Sequence, residues 1–297
     1  MADYLSGIIE GFYGRQWSWP ERGEMLAFLA RYELGCYIYA PKADRYLRQD
    51  WRKAWPEDTH AALSALSTQA RQLGVPWGLG LSPFEVWRDF GSDTRAALRA
   101  KLEEINSLQP DILCVLFDDM RGDMPALAET QLAITEEVLA LSQARRHIVC
   151  PTYYSDDPVL ERVFGERPAN YWQDLGQGLP AAVDVFWTGP QVCTRVYREQ
   201  DMAAISTALC RQPVLWDNYP VNDGEKMSRF LHLQPFSGRP AGRPRWLAGH
   251  IANPMNQPCL SCIPLLTLGG QIADSAGAID VLCPPPLAAL LKRDLAL

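Results

Sequence analysis

Eight short apolar runs, separated by segments whose apolar residues recur at three- and four-residue spacing, constrain this chain more than any other feature. The runs occupy residues 7–14, 36–42, 77–83, 113–119, 147–154, 184–190, 213–218 and 246–254. Between them, Met25, Leu26 and Leu29, then Leu63, Leu66 and Ala70, then Leu132, Ile134, Val138 and Leu141 repeat at helical spacing. Runs this continuously apolar suit strands covered on both faces, as in a parallel sheet between helices. Eight such units, spaced by about 30 to 40 residues in a chain a little above the ~250 typical of the architecture, predict an α/β fold: one (β/α)8 barrel spanning residues 1–297. A doubly wound open sheet would need a glycine-rich phosphate turn after its first strand, and Gly11-Phe12-Tyr13-Gly14 is not one. The units share no sequence, so the repeat is architectural and predicts no solenoid.

The remainder of the chain reads more plainly. Glu21, Arg99, Lys101, Glu103 and Glu104 fall on expected solvated helix faces, residues 155–180 predict a loop plus a helix, and Pro284-Pro285-Pro286 breaks the chain before a last helix over 287–295. Lys and Arg number 28 against 35 Asp and Glu, a formal charge of −7, which argues against nucleic acid or an anionic membrane as partner. No apolar run approaches the ~18 to 20 residues of a membrane span. Met1-Ala2-Asp3-Tyr4-Leu5 carries no basic segment or apolar signal, so the expectation is a soluble cytoplasmic protein. Of the eight cysteines, Cys36, Cys114 and Cys150 lie inside apolar runs and are expected to be reduced thiols. Cys259 and Cys262 form a lone CxxC, with only His250 and Cys283 as conceivable further ligands, and no metal is expected there.

Barrels of this kind carry their sites at the C-terminal ends of the strands. The polar and aromatic residues at those ends are Tyr13, Lys42, Ser82, Asp118, Asp119, Tyr154, Thr188, Trp216, Asn218, Asp223 and Asn253. No histidine is among them; His250, inside an apolar run, reads as a hydrogen-bonded core residue. A mouth of carboxylates, amides, hydroxyls and aromatic rings suits a sugar, whose hydroxyls need paired donors and acceptors and whose faces stack on rings. Trp187 and Tyr13 read as core packing, Trp216 less so.

The adjoining pair Asp118-Asp119 decides between mechanisms. Glycoside hydrolysis ordinarily places two carboxyl groups on opposite sides of the scissile bond, ~5 to 9.5 Å apart. Neighbouring residues have Cα atoms about 3.8 Å apart and approach from one strand end, so they do not readily serve as acid and opposing nucleophile. A substrate with a 2-acetamido group supplies the nucleophile itself, through its carbonyl oxygen, while one aspartate holds the amide N–H and the other protonates the leaving oxygen.

Seven blocks carry a wider resemblance: residues 7–14 with Trp17 and Arg22, Tyr39-Ala40-Pro41-Lys42, Phe117-Asp118-Asp119, Cys150-Pro151-Thr152-Tyr153-Tyr154, Trp187-Thr188-Gly189-Pro190, Trp216-Asp217-Asn218 to Asp223, and Asn253-Pro254-Met255-Asn256. In order and over nearly the whole chain, they resemble the catalytic barrel of the O-GlcNAcase and hyaluronidase-like β-N-acetylglucosaminidases, glycoside hydrolase family 84. The resemblance implies a retaining, substrate-assisted hydrolase of terminal β-linked N-acetylglucosamine that needs no cofactor and acts on a glycoside or glycoprotein. It implies that Asp118 orients the acetamido group, that Asp119 is the general acid and base, and that Tyr154 supports the oxazoline oxygen. Cys150, Thr188, Val192 and Trp216 would line the N-acetyl pocket. Gly11 through its backbone, with Lys42, Asn218, Asp223 and Asn253, would hold the hydroxyls and ring. Ala43 and Gly224 depart from the family pattern, which has an acidic residue and an aromatic there, so a more open rim is expected. A non-catalytic N-acetylglucosamine-binding barrel and an endo-acting, hyaluronidase-like enzyme are the alternatives.

Overall fold

A computed structural model describes residues 4–240, 242–268, 270 and 272–295. Eight parallel strands close in sequence order: β1 (Leu5–Glu10), β2 (Cys36–Tyr39), β3 (Trp77–Leu81), β4 (Ile112–Leu116), β5 (Arg146–Cys150), β6 (Val183–Trp187), β7 (Val214–Asp217) and β8 (Gly249–Ala252), with β8 pairing back onto β1. Ten helices surround or follow them among the described residues: α1 (Trp19–Arg31), α2 (Glu57–Leu73), α3 (Ser92–Ser107), α4 (Leu127–Leu141), α5 (Val159–Phe164), α6 (Tyr171–Gly178), α7 (Glu199–Ala208), α8 (Pro258–Leu268), α9 (Ser275–Leu282) and α10 (Pro285–Leu295). The barrel and every expected strand are present. The strands stop short of the polar ends of the apolar runs, because there the chain leaves the sheet for the βα loops.

Alternation along the strands builds two shells. Ile9, Ile38, Cys114, Ile148, Phe186, Trp216 and Ile251 point into the barrel, while Ile8, Tyr37, Val115, Val149, Trp187, Leu215 and Ala252 meet the helices. Trp187 is thus core, its ring edge-on to Trp172 at 5.2 Å. β3 turns Gly80 inward; a Cβ there would stand 2.5 Å from Ala40 Cβ and 2.8 Å from Leu116 Cδ1, so glycine leaves the interior to its neighbours.

Four expectations meet the structure differently or more finely. Lys101 is buried rather than solvated: Trp55, on the long β2–α2 loop, folds over α3, so Lys101 Nζ lies 4.2 Å from the Trp55 ring centroid and donates to Glu104 Oε2 at 2.6 Å. Glu104 also accepts the Trp55 N–H at 2.8 Å, while Glu21 closes a capping box with Ser18 at the start of α1. Residues 155–180 hold two short helices, α5 and α6, where one was expected. The last helix starts at Pro285, two residues earlier than expected, since proline is tolerated in a first turn. Cys259 and Cys262 lie within α8, and among the described residues no three His, Cys, Asp or Glu side chains group to hold a metal ion. Among those residues, too, no helix is long and apolar enough to cross a membrane.

Candidate active site

The parity of β4 sends Ile112, Cys114 and Leu116 inward, so Asp118, two residues on, also faces the barrel mouth. Continued alternation would send Asp119 outward to the helices. Instead the strand has ended, and Asp119 takes φ +57°, a left-handed conformation uncommon outside glycine, asparagine and aspartate. Both carboxylates therefore line the same pocket.

They stand in different surroundings. Asp118 is 5% exposed, its Oδ2 paired with the buried Lys42 ammonium, while its buried Oδ1 accepts no hydrogen bond from the described residues. Asp119 is held on both oxygens: Tyr13 donates its phenol to Oδ2 at 2.7 Å and Tyr154 to Oδ1 at 3.2 Å, with Lys42 Nζ 3.9 Å from Oδ2. Burial, then the Asp119 charge, pushes both phenols well above the ordinary tyrosine range, so both remain donors.

The floor is Trp216, whose ring packs edge-on to Phe186 at 5.1 Å. A Cβ on Gly11 would lie 2.5 Å from Trp216 Cζ2, so only glycine lets the β1 end pass over the indole. Trp216 Nε1 donates to Asn218 Oδ1 at 3.0 Å, and Asn253 Nδ2 donates to the same oxygen at 3.1 Å. Asn218 Nδ2 in turn donates to the Val192 carbonyl at 2.8 Å, and Gly11 N–H to Asn253 Oδ1 at 3.3 Å. Asp223 accepts the Tyr13 N–H at 2.7 Å, and burial raises its pKa. Thr188 backs Tyr154, its N–H donating to the Tyr154 carbonyl at 2.9 Å. Burial, then the Asp118 charge, keeps Cys150 a neutral thiol.

Asp118, Asp119, Gly11, Lys42, Cys150, Tyr154, Thr188, Val192, Trp216, Asn218, Asp223 and Asn253 thus line one pocket together. Tyr13 joins them instead of packing in the core: it is 42% exposed and touches Asp119. Its place two residues past the glycine over Trp216 was the available signal. Cys193 and Val221 also line the pocket, each close in sequence to an expected residue. Ser82 does not; its hydroxyl accepts from Arg48 behind the wall. His250 is the buried core residue expected, its Nε2 2.9 Å from Asp217 Oδ2.

The profile of the β-N-acetylglucosaminidase family matches residues 6–278, the span that includes every one of these side chains. The chain belongs to that family. It is 30% identical over 260 residues to the protein O-GlcNAcases of Mus musculus and of Rattus norvegicus, covering 84% of this chain and 28% of each relative. An aspartate-to-asparagine mutant of the Thermobaculum terrenum O-GlcNAc hydrolase superposes with a TM-score of 0.86 at 31% identity, covering 98% of this chain and 65% of that one. The structure of CpGH84B gives 0.81 at 26% identity, covering 95% and 52%. The chain therefore spans less than a third of the length of the mammalian relatives it matches.

Proposed function

We propose that this β-N-acetylglucosaminidase barrel removes terminal β-linked N-acetylglucosamine from a glycoside or glycoprotein, with retention and with the substrate's own acetamido group as nucleophile. The observation that carries the reading is the pairing of Asp118 and Asp119 at one side of one pocket, in unlike surroundings. Asp118, paired with Lys42 through Oδ2, has a buried Oδ1 without a donor among the described residues, and an acetamido N–H supplies one. Holding that N–H directs the amide carbonyl oxygen at the anomeric carbon. Asp119 gives its proton to the glycosidic oxygen as the C–O bond breaks, and an oxazoline closes on the sugar. Asp119 then takes a proton from water as that water attacks the anomeric carbon and reopens the ring. Two inversions give net retention.

The supporting groups follow from their neighbours. Tyr154 stays a phenol and points at Asp119, close to where the oxazoline oxygen forms. Cys150, Thr188, Val192 and Trp216 form a neutral lining for the acetamido methyl, and Asn218, Asp223, Asn253, Lys42 and the Gly11 backbone meet hydroxyls and ring. Asp223, the one further carboxylate among the described lining residues, accepts the Tyr13 N–H on Oδ2, which leaves Oδ1 for the sugar hydroxyl assigned to it. Chemistry and family membership converge on one catalytic domain. The eight cysteines are all free, three of them buried in the barrel wall, which supports a reducing, cytoplasmic setting.

The test compares 4-nitrophenyl β-N-acetylglucosaminide with the matching β-glucoside. We expect release of 4-nitrophenol from the first only, retention in the first-formed product, and a fall of about 10²- to 10⁴-fold in Asp119→Asn on substrates that need protonation. Equal cleavage of both glycosides would overturn the mechanism, and no turnover of either would overturn the activity.

A further inference from the structure

Arg48 lies behind the pocket, on the β2–α2 loop, and contributes nothing to its lining. It is 7% exposed, and among the described residues it makes no ion pair. Its two terminal nitrogens go to neutral acceptors: Nη1 donates to Ser82 Oγ and Nη2 to the backbone carbonyl of Asp119, each at 3.0 Å. The guanidinium also stacks 5.3 Å from the Phe84 ring centroid, while the Arg48 carbonyl accepts the Phe84 N–H at 3.4 Å. Burying a guanidinium without a carboxylate is costly, so a buried arginine spent on a carbonyl wants a reason beyond filling space.

The reason lies in the conformation of the residue it grips. Asp119 has φ +57°, and this departure from strand geometry brings its carboxylate to the mouth beside that of Asp118. Such a conformation is strained for a residue with a Cβ and persists only where the surroundings fix it. The two tyrosines fix the Asp119 side chain; Arg48 is what fixes its carbonyl, from an anchor on the end of β3. Its positive charge also reaches the Tyr13 phenol, countering there the negative charge of Asp119.

We propose that Arg48, braced on Ser82, is a positioning residue that holds the backbone of Asp119 in its left-handed turn and so aims the proton-donating carboxylate at the leaving oxygen. This rests on the role given to Asp119 above. Arginine serves this better than lysine, because only the planar fork reaches a hydroxyl and a carbonyl together while lying on a ring, whereas an ammonium meets one of them at a time.

A misaimed acid harms leaving groups in proportion to their need for a proton, whereas a loosened pocket harms all substrates alike. The experiment therefore measures kcat/KM of wild type, Arg48→Met, Arg48→Lys and Ser82→Ala on a series of β-N-acetylglucosaminides, from 3,4-dinitrophenyl through 4-nitrophenyl and 4-methylumbelliferyl to methyl. The affinity for free N-acetylglucosamine is measured alongside. In Arg48→Met we expect a loss of about 100-fold on the methyl glycoside, less than about 5-fold on the dinitrophenyl glycoside, and little change in product affinity. Arg48→Lys should recover part of the loss, and Ser82→Ala should show a weaker form of the same trend. An equal loss on every glycoside, or a loss matched by weakened product binding, overturns the proposal. Should Arg48→Met not fold, Arg48→Lys decides alone: a dependence on leaving group as shallow as wild type overturns it. Inactivity of the wild type on all four substrates overturns instead the function on which this rests.

Discussion

Tyr13 donates its phenol to Asp119 Oδ2 at 2.7 Å, from a strand end on the far side of β2 and β3, and Tyr154 meets the other oxygen at 3.2 Å. An aspartate held on both oxygens has one orientation in which to give and take a proton. Hydrogen bonds to a charged group are worth about 1.5–3 kcal/mol, so Tyr13→Phe should lower kcat/KM on an alkyl glycoside by about 10- to 100-fold with a small change in KM. Steady-state kinetics on purified variant check this. Tyr154→Phe should cost more, because in the proposed mechanism that phenol also supports the closing oxazoline; a smaller loss than in Tyr13→Phe would separate Tyr154 from that role.

Lys42 and Asp118 answer a different question, that of stability against chemistry. Their side chains are 3% and 7% exposed, so removing the ammonium leaves a buried carboxylate without its counter-ion. Lys42→Met should therefore destabilise the fold by about 3–5 kcal/mol, read as a lower midpoint in denaturant. Asp118→Asn keeps shape and one acceptor, and Asp119 Oδ2 still lies 3.9 Å from Lys42 Nζ, so its midpoint should move less while its kcat falls by about 10²- to 10⁴-fold. A large fall in stability with near-normal turnover in Asp118→Asn would remove Asp118 from the reaction.

The barrel was legible because strands covered on both faces leave long apolar runs that polar loops cannot imitate, and the carboxylate pair was legible because it ends one of them. The polar ends of β2, β5, β7 and β8 likewise announced Lys42, Tyr154, Asn218 and Asn253, all of which line the pocket, whereas Gly11 was implied only by the family resemblance. What stayed hidden depends on backbone dihedrals and on contacts between distant loops. Nothing in the residue types says that Asp119 turns left-handed, that Tyr13 swings onto it rather than into the core, or that Arg48 reaches its carbonyl. The burial of Lys101 is hidden for the same reason, since helical spacing cannot reveal that Trp55 arrives from another loop to cover it.

Gly11 turns a packing constraint into a binding one. Because its missing Cβ would lie 2.5 Å from Trp216 Cζ2, Gly11→Ala must displace the indole floor or lift the β1 end that carries Tyr13. Overpacking of this kind costs about 1–3 kcal/mol, visible as a lower Tm. In the proposed reading the floor also lines the acetamido pocket, so KM should rise by about 10-fold. A change confined to Tm, with KM untouched, would mean that the acetamido group does not rest on Trp216.

Asp217 lies between the pocket residues Trp216 and Asn218 but points the other way, into a buried cluster outside the barrel. Arg239 grips it with Nε and Nη2, each at 2.8 Å, and His250 with Nε2 at 2.9 Å, tying the long β7–β8 connection to the strand that bears the floor. Burial raises the Asp217 pKa, but the bonds from Arg239 and His250 outweigh it and hold the carboxyl below its ordinary range. A carboxyl depressed in the folded state stabilises the fold above its unfolded pKa of about 3.9, and that contribution is lost as pH falls through the lower folded value. Arg239→Met should thus lower stability by about 3–5 kcal/mol at pH 7, and the gap from wild type should narrow as the solution is acidified below about pH 4. Denaturant titrations at pH 7 and in acid measure both quantities. Because Asp217 is bonded in sequence to two pocket residues, the same substitution should also raise KM before the protein unfolds; a variant with reduced stability and unaltered KM would show that the pocket does not feel the cluster behind it.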